Sequence, residues 1–422
     1  MQKKNGVFTY ENGLLLLLGI SWGVAYFDRT AGTVLVPFME RDLHLDNTRV
    51  SLISAGLSIS WALGAYLIAR WSDATGARKP FLLSFLVIFS ACSFLSGLAQ
   101  TFPVLLGSRV LMGAVEGPFL PVCLALMMAE SSEHRRGVNA GVMQNFFASI
   151  LGQFVAPLVL ARLAASVGWR SAYFVAGIPG LLCALGVLLF VREPQKAAER
   201  AAEAETGPRM GLFAMLSVRN VLLCCVISAF MVAWLAMGWA FFPKYFTDDR
   251  HFTPAVMSYL LATLGVASAV SAFLVPWLSD RLGRKGIMIV FCVLGATAPL
   301  AVLYSQGSLV ALGALMFVGW LGCGTFPLFM GVIPGETLPR RYATTAMGLV
   351  VGAGEVVGGF AITLLGGVLA DRSSLATPIL IQAACAVIGG VLSLFLIETA
   401  PIKVGRTSDG AHRASPVPGA LN

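Results

Sequence analysis

Residues Gly13 to Phe38 read GLLLLLGISWGVAYFDRTAGTVLVPF, an apolar run whose only charged residues are Asp28 and Arg29. A run of about twenty apolar residues is long enough to cross a bilayer as a helix. Ionised side chains near the middle of such a helix are costly, and are kept where they line a pathway for an ion or a charged solute. A second apolar run carries Arg109 and Glu116 and points the same way.

Composition agrees with a chain solvated mostly by lipid. Hydrophobic residues make up 57% of it and charged residues 12%, where soluble domains average about 25% charged; the mean hydropathy is +0.81. The net charge of +8 is what basic loops on one membrane face produce, so no nucleic-acid partner is expected. The first apolar run is longer than a signal-peptide core and holds two charges, so it is expected to stay as the first span. Cys92, Cys123, Cys183, Cys224, Cys225, Cys292, Cys323 and Cys385 all lie in apolar runs without a Cys-x-x-Cys pair. They are expected to be packed, reduced thiols, not metal ligands.

Runs of spanning length fall at about 13–38, 50–69, 81–99, 103–128, 138–164 and 171–191, and again at about 219–243, 255–277, 286–304, 308–332, 343–368 and 375–397. The expected organisation is a short cytoplasmic start over 1–12, a six-helix bundle over 13–191, a polar linker over 192–218, a second six-helix bundle over 219–397 and a tail over 398–422. Lys and Arg gather in the segments that include Arg78, Lys79, Arg135, Arg136, Arg284, Lys285, Arg340 and Arg341. Only Arg41, Arg49, Arg162, Arg170, Lys244, Arg250 and Arg372 fall on the opposite face. The positive-inside rule therefore puts both termini in the cytoplasm.

The two halves echo each other. Trp71-Ser-Asp-Ala-Thr-Gly-Ala-Arg-Lys79 recurs as Leu278-Ser-Asp-Arg-Leu-Gly-Arg-Lys285, with Asp73 and Asp280 207 positions apart. Glu130, Arg135 and Arg136 recur as Glu336, Arg340 and Arg341. A duplicated six-span unit places a binding site between the halves near the midplane.

These residues resemble the major facilitator superfamily: the acidic-glycine-basic loop after span two, its copy after span eight, and the six-plus-six layout. More narrowly, Tyr26-Phe-Asp-Arg-Thr30 and Arg109-Val-Leu-Met-Gly-Ala-Val-Glu-Gly-Pro118 resemble the anion:cation symporter family. The first loop departs from the family pattern, with Ala69 where a glycine is usual and Ala77 inserted before Arg78. The fold class expected is all-α integral membrane, twelve transmembrane helices in two halves, in a bacterial-type inner membrane. The resemblance implies that Arg29 grips the substrate, Glu116 and Asp28 carry protons, and Arg109 pairs with an acid.

Depth along the helices reaches a similar assignment independently. Span one puts Asp28 about 22 Å from its cytoplasmic start, and span four puts Arg109 about 9 Å from its outer end. The two are level in a core of about 30 Å, so they are expected to pair. Glu116 lies about 10 Å deeper towards the cytoplasm and is expected to have no fixed cation and to exchange a proton in the physiological range. Arg29, about 100° around the helix from Asp28, is expected to be unpartnered and free to grip a carboxylate bidentately. The competing reading is a structural salt-bridge cluster of all four residues.

Glu355, in Gly352-Ala-Gly-Glu-Val-Val-Gly-Gly359, has two open readings. It is either a cavity group, as a second proton site or an acceptor for substrate hydroxyls, or a protonated acid in a close helix crossing. Tyr26, Gln144, Asn145 and Trp239, with Trp234, are candidate lining residues. Asp73, Arg78, Lys79, Asp280, Arg284 and Lys285 are expected to latch an inward gate.

The expected function is proton-coupled symport of a small organic anion by alternating access, acting as a monomer in the lipid bilayer without cofactor or metal. No phosphate-loop motif is present for ATP, and His44, His134, His251 and His412 lie in loops or the tail. Gly19-Ile-Ser-Trp-Gly23 matches a nucleophile-elbow pattern but sits in an apolar helix with no strand before it. No enzyme is expected. An efflux antiporter for a drug or metabolite would share the fold; Arg29 favours an anionic cargo without fixing direction.

Overall fold

A computed structural model describes residues 9–75, 78–132, 135, 139, 141–192 and 211–403, apart from the side chains of 69–75, 128–129, 212, 340–341 and 343–344. Most of the expected linker and the tail beyond 403 lie outside these residues.

Among the described residues, twelve helices are long and apolar enough to cross a membrane: Tyr10–Val34, Asn47–Ile68, Lys79–Gly97, Phe102–Met127, Val142–Val167, Trp169–Phe190, Arg219–Asp248, Pro254–Leu282, Arg284–Tyr304, Leu309–Thr337, Thr345–Arg372 and Ala376–Ser393. No strand occurs among the described residues. The chain is an all-α, multi-pass membrane protein, and these helices are called spans one to twelve below.

Local chemistry sets several boundaries. The side-chain oxygens of Thr9, Thr253 and Ser308 accept from the backbone N–H three residues on, capping spans one, eight and ten. The apolar run of span one extends to Phe38, but its helix ends at Val34. Pro37 has no N–H for the carbonyl of Thr33, so the chain breaks and restarts as a separate short helix, Val36–Leu43. Between spans eight and nine, Gly283 adopts φ 100°, the left-handed region that a side chain disfavours. The glycine of the repeated loop therefore makes the turn between those spans.

Tyr10 Oη accepts from the backbone N–H of Arg192 (3.0 Å), and Glu11 accepts from Asn139 Nδ2 (2.7 Å). Asn220 Nδ2 donates to the carbonyl of Ile397 (3.1 Å). The starts of spans one, five and seven and the ends of spans six and twelve thus share one face, the terminal face.

The apolar core falls into two clusters. One, around Leu18, Trp22, Phe85, Phe119 and Leu126, belongs to the first half alone. The other runs without a break from Ala31, Leu35 and Val50 into Phe241, Trp320 and Ile379 of the second half. Packing therefore joins the halves at the end away from the termini. Two seams show how tightly: a Cβ on Gly265 would lie 2.4 Å from the Gln153–Phe154 backbone, and one on Gly367 would lie 2.1 Å from Ser51 Oγ.

Candidate functional site

Between the halves lies a cavity with about 770 Å³ of empty space, its open mouth included. The first half lines it with Tyr26, Arg29, Thr30, Gly32, Thr33, Ile53, Ser54, Leu57, Ser58, Arg109 and Gln153. The second half contributes Val232, Leu235, Ala236, Trp239 and Glu355.

Asp28 and Arg109 meet as the depth argument anticipates. Arg109 Nη1 is 3.5 Å from Asp28 Oδ1, and both side chains are 0% exposed. Arg109 also donates to the carbonyl of Asp28 (3.2 Å) and to Ser96 Oγ, and its guanidinium lies 4.8 Å over the Tyr173 ring. Ser93 Oγ donates to Asp28 (2.9 Å). Burial of two charges is tolerable because each is paired and hydrogen-bonded.

Two expectations about the second pair need correction. Arg29 is not unpartnered and Glu116 does not lack a cation: Arg29 Nη1 lies 3.7 Å from Glu116 Oε2. The long arginine side chain spans the difference in depth between the two backbones. The pair is uneven, with Arg29 25% exposed to the cavity and Glu116 only 3%. Glu116 Oε1 is buried with no hydrogen-bond partner. Arg29 also lies 5.7 Å from the Tyr26 ring centroid.

Tyr26 and Trp239 line the cavity as expected, while Gln144 and Asn145 do not. Gln144 is exposed, and its carbonyl accepts from Trp22 Nε1 (2.9 Å). The span-five side chain that reaches the cavity is Gln153, whose buried Oε1 has no hydrogen-bond partner. Ser54, Ser58, Thr30 and Thr33 were also not anticipated. Trp234 is core: it packs on Trp320 at 4.6 Å between centroids and donates to the carbonyl of Gly295 (2.9 Å).

On the terminal face, charged residues of the second half bind one another. Arg284 binds Asp280, Ser279 Oγ (2.7 Å) and Glu336 (2.9 Å). The Glu398 carboxylate accepts the backbone N–H groups of Arg284 (2.8 Å) and Lys285 (3.3 Å), compensating the start of span nine. Arg78 is buried and Lys79 Nζ donates to the carbonyl of Leu188 (2.8 Å). The side chain of Asp73 lies outside the described residues.

Polar ties between the halves occur at the opposite end. Lys244 forms an ion pair with Glu40 of the short helix. The Asp371 carboxylate accepts the N–H groups of Asn47 and Thr48, each at 2.8 Å, and caps span two from across the interface. In an Asp371→Ala, Lys244→Ala double variant, labelling of an introduced Thr33→Cys by an impermeant maleimide added on that side is expected to rise several-fold. An unchanged rate would show that packing alone keeps this end shut.

The buried pair carries a separate stability prediction. Asp28→Ala strands the Arg109 guanidinium and is expected to destabilise by about 3–5 kcal/mol. Asp28→Ala with Arg109→Ala should cost less than the two single changes summed; thermal midpoints in detergent read the difference.

Two pseudo-repeated six-helix halves around a charged central cavity define a membrane carrier. A family model described as the Major Facilitator Superfamily matches residues 18–362 and, in a second overlapping match, 235–420, and the chain belongs to that superfamily. It is a transporter and not an enzyme. It is 26% identical over 293 residues to the hexuronate transporter of Bacillus subtilis, covering 65% of this chain and 67% of that protein. It is 27% identical over 354 residues to a probable 4-methylmuconolactone transporter of Cupriavidus pinatubonensis, covering 80% of each. Among solved structures, a mutant form of the nucleoside transporter NupG superposes with a TM-score of 0.75 at 14% identity, covering 90% of this chain and 99% of that one.

Proposed function

We propose that this carrier moves a small organic anion, a carboxylate, into the cell together with protons. It works by alternating access as a monomer in an inner membrane, with the terminal face in the cytoplasm. The observation that carries this reading is the uneven pair of Arg29 and Glu116. Arg29 is the one cation of the described lining that reaches into the cavity, while the deeper Arg109 is committed to Asp28.

A cargo carboxylate that takes the guanidinium bidentately draws it from Glu116. Glu116 is then a buried carboxylate without its counter-ion, and taking up a proton removes that cost. Anion and proton thus favour each other's binding. Asp28 stays paired with Arg109 and keeps that second guanidinium out of the exchange. Tyr26, Trp239 and Gln153 complete the wall around the cargo. The hexuronate transporter among the relatives supports an anionic cargo.

Reconstituted protein exposed to a panel of radiolabelled organic acids should accumulate at least one of them, and only with an inward proton gradient. Gradient-independent accumulation, or outward movement of cationic or neutral cargo instead, would overturn the reading.

A further inference from the structure

Glu355 is a charged cavity residue that the coupling scheme leaves unused, and among the described lining residues it is the one charged group of the second half. Among the described lining residues, span seven offers Val232, Leu235 and Ala236, with Trp239 as its single polar handle; Glu355 on span eleven is the other handle of the second half. Its Oε2 is buried without a hydrogen-bond partner. The Ser58 hydroxyl of the opposite half stands beside the carboxylate.

The backbone around Glu355 holds it in place. Gly354–Ile362 widens into a π-helix, a distortion that recurs at functional sites. A Cβ on Gly358 would lie 2.1 Å from the carbonyl of Ala229, so span eleven lies against span seven with no room for adjustment. The helix that carries the carboxylate is therefore held in place, facing a cavity whose partly exposed cation, Arg29, belongs to span one.

A carrier whose halves rock against each other needs its cargo to touch both, because only contacts that change between states couple binding to movement. The carboxylate of the cargo accounts for the first half at Arg29. Resting on the reading above, we infer that Glu355 is a specificity-determining residue that accepts a hydrogen bond from a hydroxyl at the remote end of the cargo. The substrate class is then a hydroxylated monocarboxylate whose middle packs between Leu57, Val232 and the Tyr26 and Trp239 rings. A buried acceptor left unpaired by a deoxy analogue penalises that analogue, and this is how such a site discriminates.

The test measures binding to purified protein in detergent, by thermal shift and tryptophan emission, for matched acids: 3-hydroxybutyrate with butyrate, 4-hydroxybutyrate with butyrate and 4-hydroxybenzoate with benzoate. At least one hydroxy acid is expected to bind wild type about ten-fold or more tighter than its deoxy partner. In Glu355→Ala the preference should collapse while affinity for the deoxy acid is kept, and Glu355→Gln, which retains an acceptor oxygen, should recover part of it. Arg29→Ala should abolish binding of both members of the pair.

Equal binding of the pairs in wild type, or an unchanged preference in Glu355→Ala, would overturn the inference and leave the anion site standing. Tighter binding of 4-aminobutyrate than of 4-hydroxybutyrate would also overturn it, assigning Glu355 to an ammonium. Failure of every acid to bind, or binding unaffected by Arg29→Ala, would instead bring down the anion-site reading and this inference with it.

Discussion

Arg29→Ala is expected to lower organic-anion uptake into proteoliposomes by about 100-fold or more, since a bidentate guanidinium–carboxylate contact is among the strongest polar interactions a site offers. No other cation of the described lining can substitute. Arg109 is 0% exposed and held by Asp28, Ser96 and the Tyr173 ring. Arg29→Lys keeps the charge but loses the planar fork, and should retain uptake reduced by about ten-fold. Removing Arg29 also strands Glu116, so loss of folded protein must be separated from loss of function. The Arg29→Ala, Glu116→Gln double variant removes the stranded charge; it should regain a normal thermal midpoint and still fail to move the anion.

Glu116→Gln should have the opposite signature. The amide keeps the shape and leaves Arg29 free for cargo, so counterflow of labelled for unlabelled anion should persist at a rate within a few-fold of wild type. Accumulation should disappear. With one proton per monoanion, each pH unit of gradient supports up to about ten-fold accumulation, because one unit is about 1.4 kcal/mol. In Glu116→Gln that ratio should fall to one at every gradient. The sign for wild type follows: the proton enters with the cargo, so uptake rises as the external pH falls. Glu116→Gln should show a flat dependence over the same range.

The sequence displayed the fold because lipid solvation leaves a coarse signal: long apolar runs, charge on one face and a repeated loop. The Asp28–Arg109 pair was legible too, because helical rise converts residue number into depth and both residues came out level. The Arg29–Glu116 pair was not, because depth is measured at the backbone and the two side chains together bridge a difference of about 13 Å only when the helices are rotated suitably. Gln153 was missed for want of the same arithmetic. Counting from Val142, Gln144 lies about 3 Å along span five and Gln153 about 17 Å, so depth favours Gln153. The separation of nine positions also turns about 180° around an ideal helix. The ties through Glu40, Lys244 and Asp371 had no sequence signal, since they join helix ends more than 200 residues apart and more than 300 residues apart.

The central claim is that Arg29 is shared between cargo and Glu116, so that anion binding and protonation are one event. The most direct measurement is proton movement itself: external pH recorded on adding a transported acid to lightly buffered proteoliposomes that carry no imposed gradient. Wild type should alkalinise the medium in proportion to anion entry. Glu116→Gln should give no pH change while its counterflow continues. Proton movement of undiminished size in Glu116→Gln would contradict the account and assign coupling to another group.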